Sequence, residues 1–320
     1  MINSFKNFLN IFKKVNGFNV IKQYAKSRVL IFALVQILTQ GTSKKSLEIV
    51  RNSVDNKIIN RLRKKYKNYI LDNKEMILQE SSKREYSDKI WFLWLQGIEQ
   101  APEIVKICYN SIHQNLDNHE LILLTDKNYR DFITFPDYIQ EKIDLGIITK
   151  THLSDLLRLE LLTKYGGTWI DATVYISSSN FPNYMLKSDL FFFQKLKPGL
   201  DGNPRTISSW YITSCSNNPI LLLAKGLLFE YWKNNNYLID YFLLHDFIEL
   251  AIETYPDEWK KVVPFSSSTP HILLLRLFDE YDEEIWNSVK SQTPLHKLTY
   301  KYTTVDTQRL GTFYRKIIRK

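Results

Sequence analysis

Apolar positions along this chain follow two rhythms that alternate. "KIWFLWLQG", residues 89–97, is a near-continuous apolar run closed by glycine, the pattern of a strand buried on both faces. "APEIVKICYNSIHQNL" then spaces Ile104, Ile107, Cys108 and Ile112 at helical intervals. "HELILLTD", residues 119–126, predicts a second strand, and a helical stretch follows over 129–143. This succession predicts an α/β sheet with crossover helices. Ligands of such sheets gather beyond the carboxyl ends of the strands, so Trp94 and Gln96 fall near the expected ligand edge.

"THLSDLLRLELLTKYGG", residues 151–167, predicts a helix with Leu156, Leu159 and Leu162 in one apolar row. Ser154 is placed to cap it, which puts Asp155 in its first turn, and Gly166 and Gly167 supply the stop. Asp155 and Arg158 are three apart and share a face. "TWIDATVYI" then reads as a strand, with Trp169, Asp171 and Thr173 on one face and Ile170, Ala172 and Val174 on the other. A carboxylate inside such a run is costly unless something pairs with it. Asp171 is therefore the first candidate for chemistry.

The N-terminal part has a different character. Phe5, Phe8, Leu9, Phe12 and Val15 recur at helical spacing, and residues 29–38 form an apolar run about half the length a bilayer requires. A second helix carries Ile58, Ile59, Leu62, Tyr66 and Ile70 on one side, amid "RLRKKYK". The net charge is +9, yet residues 1–70 hold 15 Lys/Arg against 2 Asp/Glu. The basicity thus belongs to an extension, taken as residues 1–80, and the body, 81–320, is close to neutral. Basic amphipathic helices suit an anionic membrane surface, or pack as an ordinary solvated extension on the body. No recognition motif accompanies the charge, which argues against nucleic acid. Two cysteines, Cys108 and Cys215, are too few for a disulfide framework and fit a reducing compartment.

Four pieces, "IWFLWLQG", "SDLLR", "KYGGTWIDAT" and "PLHKLTYK", occur in order over residues 89–302. Together they look like the DXD-type glycosyltransferases of family 32, especially their bacterial capsular polysaccharide synthesis branch, and are similar to the catalytic domains of clostridial glucosylating toxins. The resemblance implies a GT-A fold, a nucleotide-sugar donor, taken through the family alone as UDP-linked, and a Mn²⁺ or Mg²⁺ ion. It implies retention of anomeric configuration, with Asp171 as metal ligand and Asp155 and Arg158 on the sugar hydroxyls. Trp94 would stack on the base, and His296 would supply a further metal ligand. Lys297 and Lys301 would meet the diphosphate. The departure is Asp171-Ala172-Thr173 where many relatives have Asp-x-Asp, which removes one carboxylate from the metal site.

Trp210 lies in a loop or short strand and either stacks on an acceptor sugar or packs in the core. Tyr241 and His245, four apart, share a helical face and suit packing or acceptor contacts. The expected activity is transfer of a sugar to a lipid-linked capsule or exopolysaccharide unit at the inner face of the plasma membrane, from the cytoplasm. The alternative from another class is a degenerate, non-catalytic sugar-binding or scaffolding protein of the same fold. A toxin-like enzyme acting on a host protein would need a delivery signal or partner domain, and neither is evident.

Overall fold

The computed structural model describes residues 17–199 and 201–319. The helix expected around Phe5 to Val15 lies outside them. Three helices come first: α1 (Gly17–Lys26), α2 (Leu30–Gln40) and the 37-residue α3 (Lys44–Glu80). Then follow β1 (Lys89–Leu93), α4 (Glu103–Asn115) and β2 (Glu120–Leu124). Two short helices lead to α5 (Lys150–Tyr165), β3 (Gly167–Ile170) and β4 (Val174–Ile176). The rest of the frame is β5 (Leu190–Gln194), β6 (Ile207–Ser214), α6 (Pro219–Asn234), α7 (Leu243–Thr254) and β7 (Leu295–Lys297).

The main sheet runs β2-β1-β3-β6-β5, with β1 parallel to β2 and β3, while β6 is antiparallel to β3 and β5. This is the α/β architecture that the apolar rhythms predict. Alternating residues feed two cores. Trp91, Trp169 and Phe192 face α5, α6 and α7, whereas Phe92, Ile170 and Phe193 face the side that holds Cys108 and Ile112 of α4. β4 and β7 form a separate antiparallel pair at the edge.

Two readings of the sequence change here. The helix cap is Thr149, whose hydroxyl accepts from the His152 N–H, so Ser154 and Asp155 sit inside α5 and not at its start. The acidic strand is also shorter than expected. β3 stops at Ile170, and Asp171-Ala172-Thr173 make a turn before β4. That break frees Asp171 from the sheet interior.

The Gly-Gly step is dictated by backbone space. Gly166 and Gly167 both have positive φ, +69° and +95°, and a Cβ on Gly167 would run into the Lys89 carbonyl of β1. The Gly166 carbonyl in turn accepts from the Trp91 indole at 2.9 Å. Side-chain-free residues here let α5 turn directly into the central strand.

The basic extension is continuous with the body. Val50, Val54, Ile58, Ile59, Leu62 and Tyr66 of α3 join the same core as α5, α6 and α7, so the division at residue 80 marks no break in packing. A buried charge cluster adds to the joint. Arg205 lies 2.6 Å from Asp55 of α3, 3.1 Å from Asp240 and 2.8 Å from Asp246. Three carboxylates around one guanidinium leave an excess of negative charge. Burial, reinforced by Asp240, pushes the Asp246 carboxyl well above its usual range.

Folded Asp246 thus keeps a proton that the unfolded chain releases near pH ~4, so its stabilising contribution declines as pH rises above that value. The Asp246→Asn variant is expected to lose less stability than wild type between pH ~5 and ~8, read from urea midpoints. Parallel profiles would show that Asp246 is ionised in the fold. Gly167→Ala is expected to cost about 3 kcal/mol or more, or to prevent soluble expression.

Candidate active site

β1 and β3 are parallel neighbours, with Phe92 opposite Ile170, so the residues just past their carboxyl ends meet at one rim. Trp94 follows β1 and Asp171 follows β3. The antiparallel β6 brings its first residues to the same rim, where the Asp171 N–H donates to the Trp210 carbonyl at 2.9 Å. α5 lays Asp155 and Arg158 against it, and β7 adds Lys297 through its pairing with Val174.

Arg158 is the centre of the arrangement and is only 5% exposed. Its guanidinium donates to the Ser209 carbonyl at 2.8 Å, to Ser154 Oγ at 3.1 Å and to Asp171 Oδ1 at 3.4 Å, and stands 3.6 Å from Asp155 Oδ1. It also lies 5.0 Å over the Trp169 ring, whose indole N–H donates to Asp171 Oδ1 at 3.0 Å. On the other side, Lys297 Nζ donates to Thr173 Oγ1 at 2.6 Å and to Asp171 Oδ2 at 3.3 Å. Both oxygens of Asp171 therefore already accept from cationic donors.

Two cavities meet at this cluster and share Thr151, Arg158, Asp171, Tyr241 and Lys297 as walls. The outer one, about 460 Å³, is lined by Trp94, Gln96, Lys150, Thr173, Tyr300 and Lys301. The inner one, about 320 Å³, is lined by Asp155, Ser209, Trp210, His245, Lys195 and, from α3, Arg51. Volumes of this size suit small-molecule sites.

The family profile of capsular polysaccharide synthesis proteins matches residues 35–317. The chain belongs to that family. No curated protein matches it. Among solved structures it is similar to the PaToxG glycosyltransferase, with 15% identity over 62% of this chain and 80% of that one, at a TM-score of 0.38. That likeness is too distant to carry an argument.

In this capsular polysaccharide synthesis protein, the expected site residues divide clearly by position. Trp94, Gln96, Thr173, Lys297 and Lys301 line the outer cavity, and Asp155, Trp210 and His245 the inner one. Trp210 packs in the core, stacked on Phe193 with centroids 4.5 Å apart, and also lines the inner cavity. Burial opposes charge on Asp155, but Arg158 and His152 outweigh it and hold the carboxyl below its usual range. Burial also pushes His245 down to about 3, against the pull of Asp155, so its ring is neutral at pH ~7.

His296 is the exception. It faces away from Lys297 on the alternating strand β7 and is fully buried. Its Nε2 sits 2.9 Å from Ser177 Oγ, and its ring packs 5.3 Å from that of Trp286. The expectation that it ligates a metal is corrected: it is a packed core histidine, with burial pushing its pKa down to about 3.

The donor set for Mn²⁺ or Mg²⁺ is small and already engaged. Mg²⁺ takes about six oxygens, of which a protein commonly supplies one or two carboxylates and leaves the rest to substrate phosphates and water. Here one carboxylate and one hydroxyl are offered, and Lys297 already binds both. Among the described residues, no group of three or more His, Cys, Asp or Glu side chains comes together to hold a metal.

Sequence reading missed Lys150, Tyr300, Lys195 and Arg51 as wall residues. Tyr300 lies inside the quoted "PLHKLTYK" and was within reach of it; Arg51, one of many cations in the basic extension, and Lys195, just beyond a strand, carry no local signal. Arg158→Lys keeps the charge but loses the planar fork that serves four partners. It is expected to lower stability by about 3 kcal/mol by urea unfolding; an unchanged midpoint would show that the guanidinium holds nothing together.

Proposed function

We propose that this protein is a retaining glycosyltransferase on a GT-A-like sheet, moving a sugar from a nucleotide-sugar, taken as UDP-linked, to a saccharide acceptor. The observation that carries the reading is the meeting of two cavities at Asp171 and Lys297, beyond the carboxyl ends of parallel strands. The outer cavity offers Trp94 and Tyr300, with rings 6.0 Å apart edge to face, for a base, and Lys150 and Lys301 for a diphosphate. The inner cavity offers an ionised Asp155 and the Arg158 guanidinium for sugar hydroxyls.

In the transfer step, the bond between the anomeric carbon and the bridging phosphate oxygen breaks, and its electron pair leaves with the phosphate. The acceptor hydroxyl oxygen bonds to that carbon on the same face. Its proton passes to the departing phosphate oxygen, so no protein base is required. Neutral His245 then serves as a hydrogen-bonding wall of the acceptor side.

A lipid-linked acceptor is supported by the surface of α2. Ile31 (79% exposed), Leu34 (50%), Val35 (51%) and Leu38 (83%) share one outward side, and exposed Lys44 and Lys45 follow. Among the described residues no helix is long and apolar enough to cross a membrane. A helix of this kind suits lying on an anionic surface. Arg51 of the next helix reaches the inner cavity, where it suits an anionic acceptor group.

A panel of nucleotide-sugars tests the activity, with nucleotide release and product analysis as readouts. Asp171→Asn is expected to reduce turnover about 1000-fold while the circular dichroism spectrum is retained, and full activity in that variant would overturn the site. Trp94→Ala is expected to raise donor KM about tenfold, the worth of one stacked base. In a flotation assay, the double variant Leu34→Glu/Leu38→Glu should leave phosphatidylglycerol vesicles; retention on them would rule out docking through α2.

A further inference from the structure

The Lys297 ammonium already sits on the two side-chain oxygens that a metal at this turn would need. We infer that the Lys297 ammonium holds the position a divalent cation would take, so that the diphosphate is bound and neutralised without a metal ion. This rests on the reading of the outer cavity as a donor site.

Lys297 is held there by its backbone. β7 pairs Lys297 with Val174, and the Leu298 N–H donates to the Thr173 carbonyl at 2.8 Å, which ties the lysine to the Asp171-Ala172-Thr173 turn. The side chain is 18% exposed, so its charge is largely withdrawn from water. Its Nζ gives one N–H to Thr173 Oγ1 and one to Asp171 Oδ2, and an ammonium has three. The third remains for a ligand in the cavities that Lys297 lines on both sides.

The threonine makes sense in this light. A second carboxylate at residue 173 would have served a cation of charge two. A hydroxyl serves a cation of charge one, orienting it without neutralising it further. Asp171 then acts as a positioning residue for the ammonium and not as a metal ligand. When the anomeric bond breaks, the electron pair moves onto the bridging phosphate oxygen, and Lys297 supplies a charge-assisted hydrogen bond there while keeping its own proton. Lys150 and Lys301, at the outer wall, supply the remaining positive charge.

Calorimetric titration of the full chain with UDP and, separately, with inorganic pyrophosphate decides the matter, each in EDTA and again with Mn²⁺. Both are expected to bind in EDTA, with Mn²⁺ changing the Kd less than about threefold. Lys297→Met should weaken both about tenfold or more in EDTA, and Lys297→Arg, which keeps the charge, should retain most of the binding. Thr173→Val, which leaves the lysine in place, guards against a Met variant that fails to fold and should weaken binding by a smaller factor.

Binding of both ligands only with Mn²⁺, lost in Asp171→Asn, would overturn the lysine assignment and leave the donor site standing. Pyrophosphate binding through Lys297 in EDTA, with no UDP binding, would uphold the lysine and overturn the nucleotide reading. Equal binding by wild type and Lys297→Met in EDTA would overturn the lysine assignment outright. Failure of both ligands under every condition would overturn both.

Discussion

The buried guanidinium of Arg158 is the constraint on which the site depends. A charge at 5% exposure has to be met by fixed partners, and here they come from three elements: Asp155 on its own helix, Asp171 on the turn after β3, and the Ser209 carbonyl on β6. Satisfying one side chain therefore fixes the relative placement of helix, turn and antiparallel strand. It also orders the charges. Asp171 stands between two cations, Arg158 within and Lys297 at the edge, and both cations are walls of both cavities.

That arrangement explains why the acidic turn interrupts an apolar run. Asp171 keeps one backbone tie to β6, its N–H on the Trp210 carbonyl, but the regular pairing ends one residue earlier, at Ile170 opposite Tyr211. Ending the strand at Ile170 and restarting it as β4 in a different sheet releases three residues at the rim. The same turn is then stapled from outside by β7, a segment more than a hundred residues later. Strand and staple together give a rigid mount for a carboxylate, a hydroxyl and an ammonium.

Much of this was legible because it is local. Apolar runs of strand length, leucines at helical spacing and the Gly-Gly break are written in consecutive residues, and they located β1, α4, β2, α5 and the start of β3 to within a few positions. The cap at Thr149 was missed because Ser154 also has a capping hydroxyl, and only the backbone shows which one meets a free N–H. His296 and Lys297 are adjacent, and the phase of a three-residue strand decides which faces the cavities; no periodicity that short can be read. The Arg205 cluster was hidden for a different reason. Asp240 and Asp246 are close in sequence but far from Arg205, and Asp55 lies farther still, in a helix whose evident character was basic.

α3 has a consequence for where the working unit begins. One of its residues, Asp55, neutralises Arg205 under the inner cavity, and another, Arg51, forms part of that cavity's wall. Its apolar face is core for α6 and α7. Cutting the chain at residue 80 would strip one side from the inner cavity and bare a hydrophobic flank, so the smallest fragment able to keep that cavity intact starts ahead of this rod, at or before Lys44.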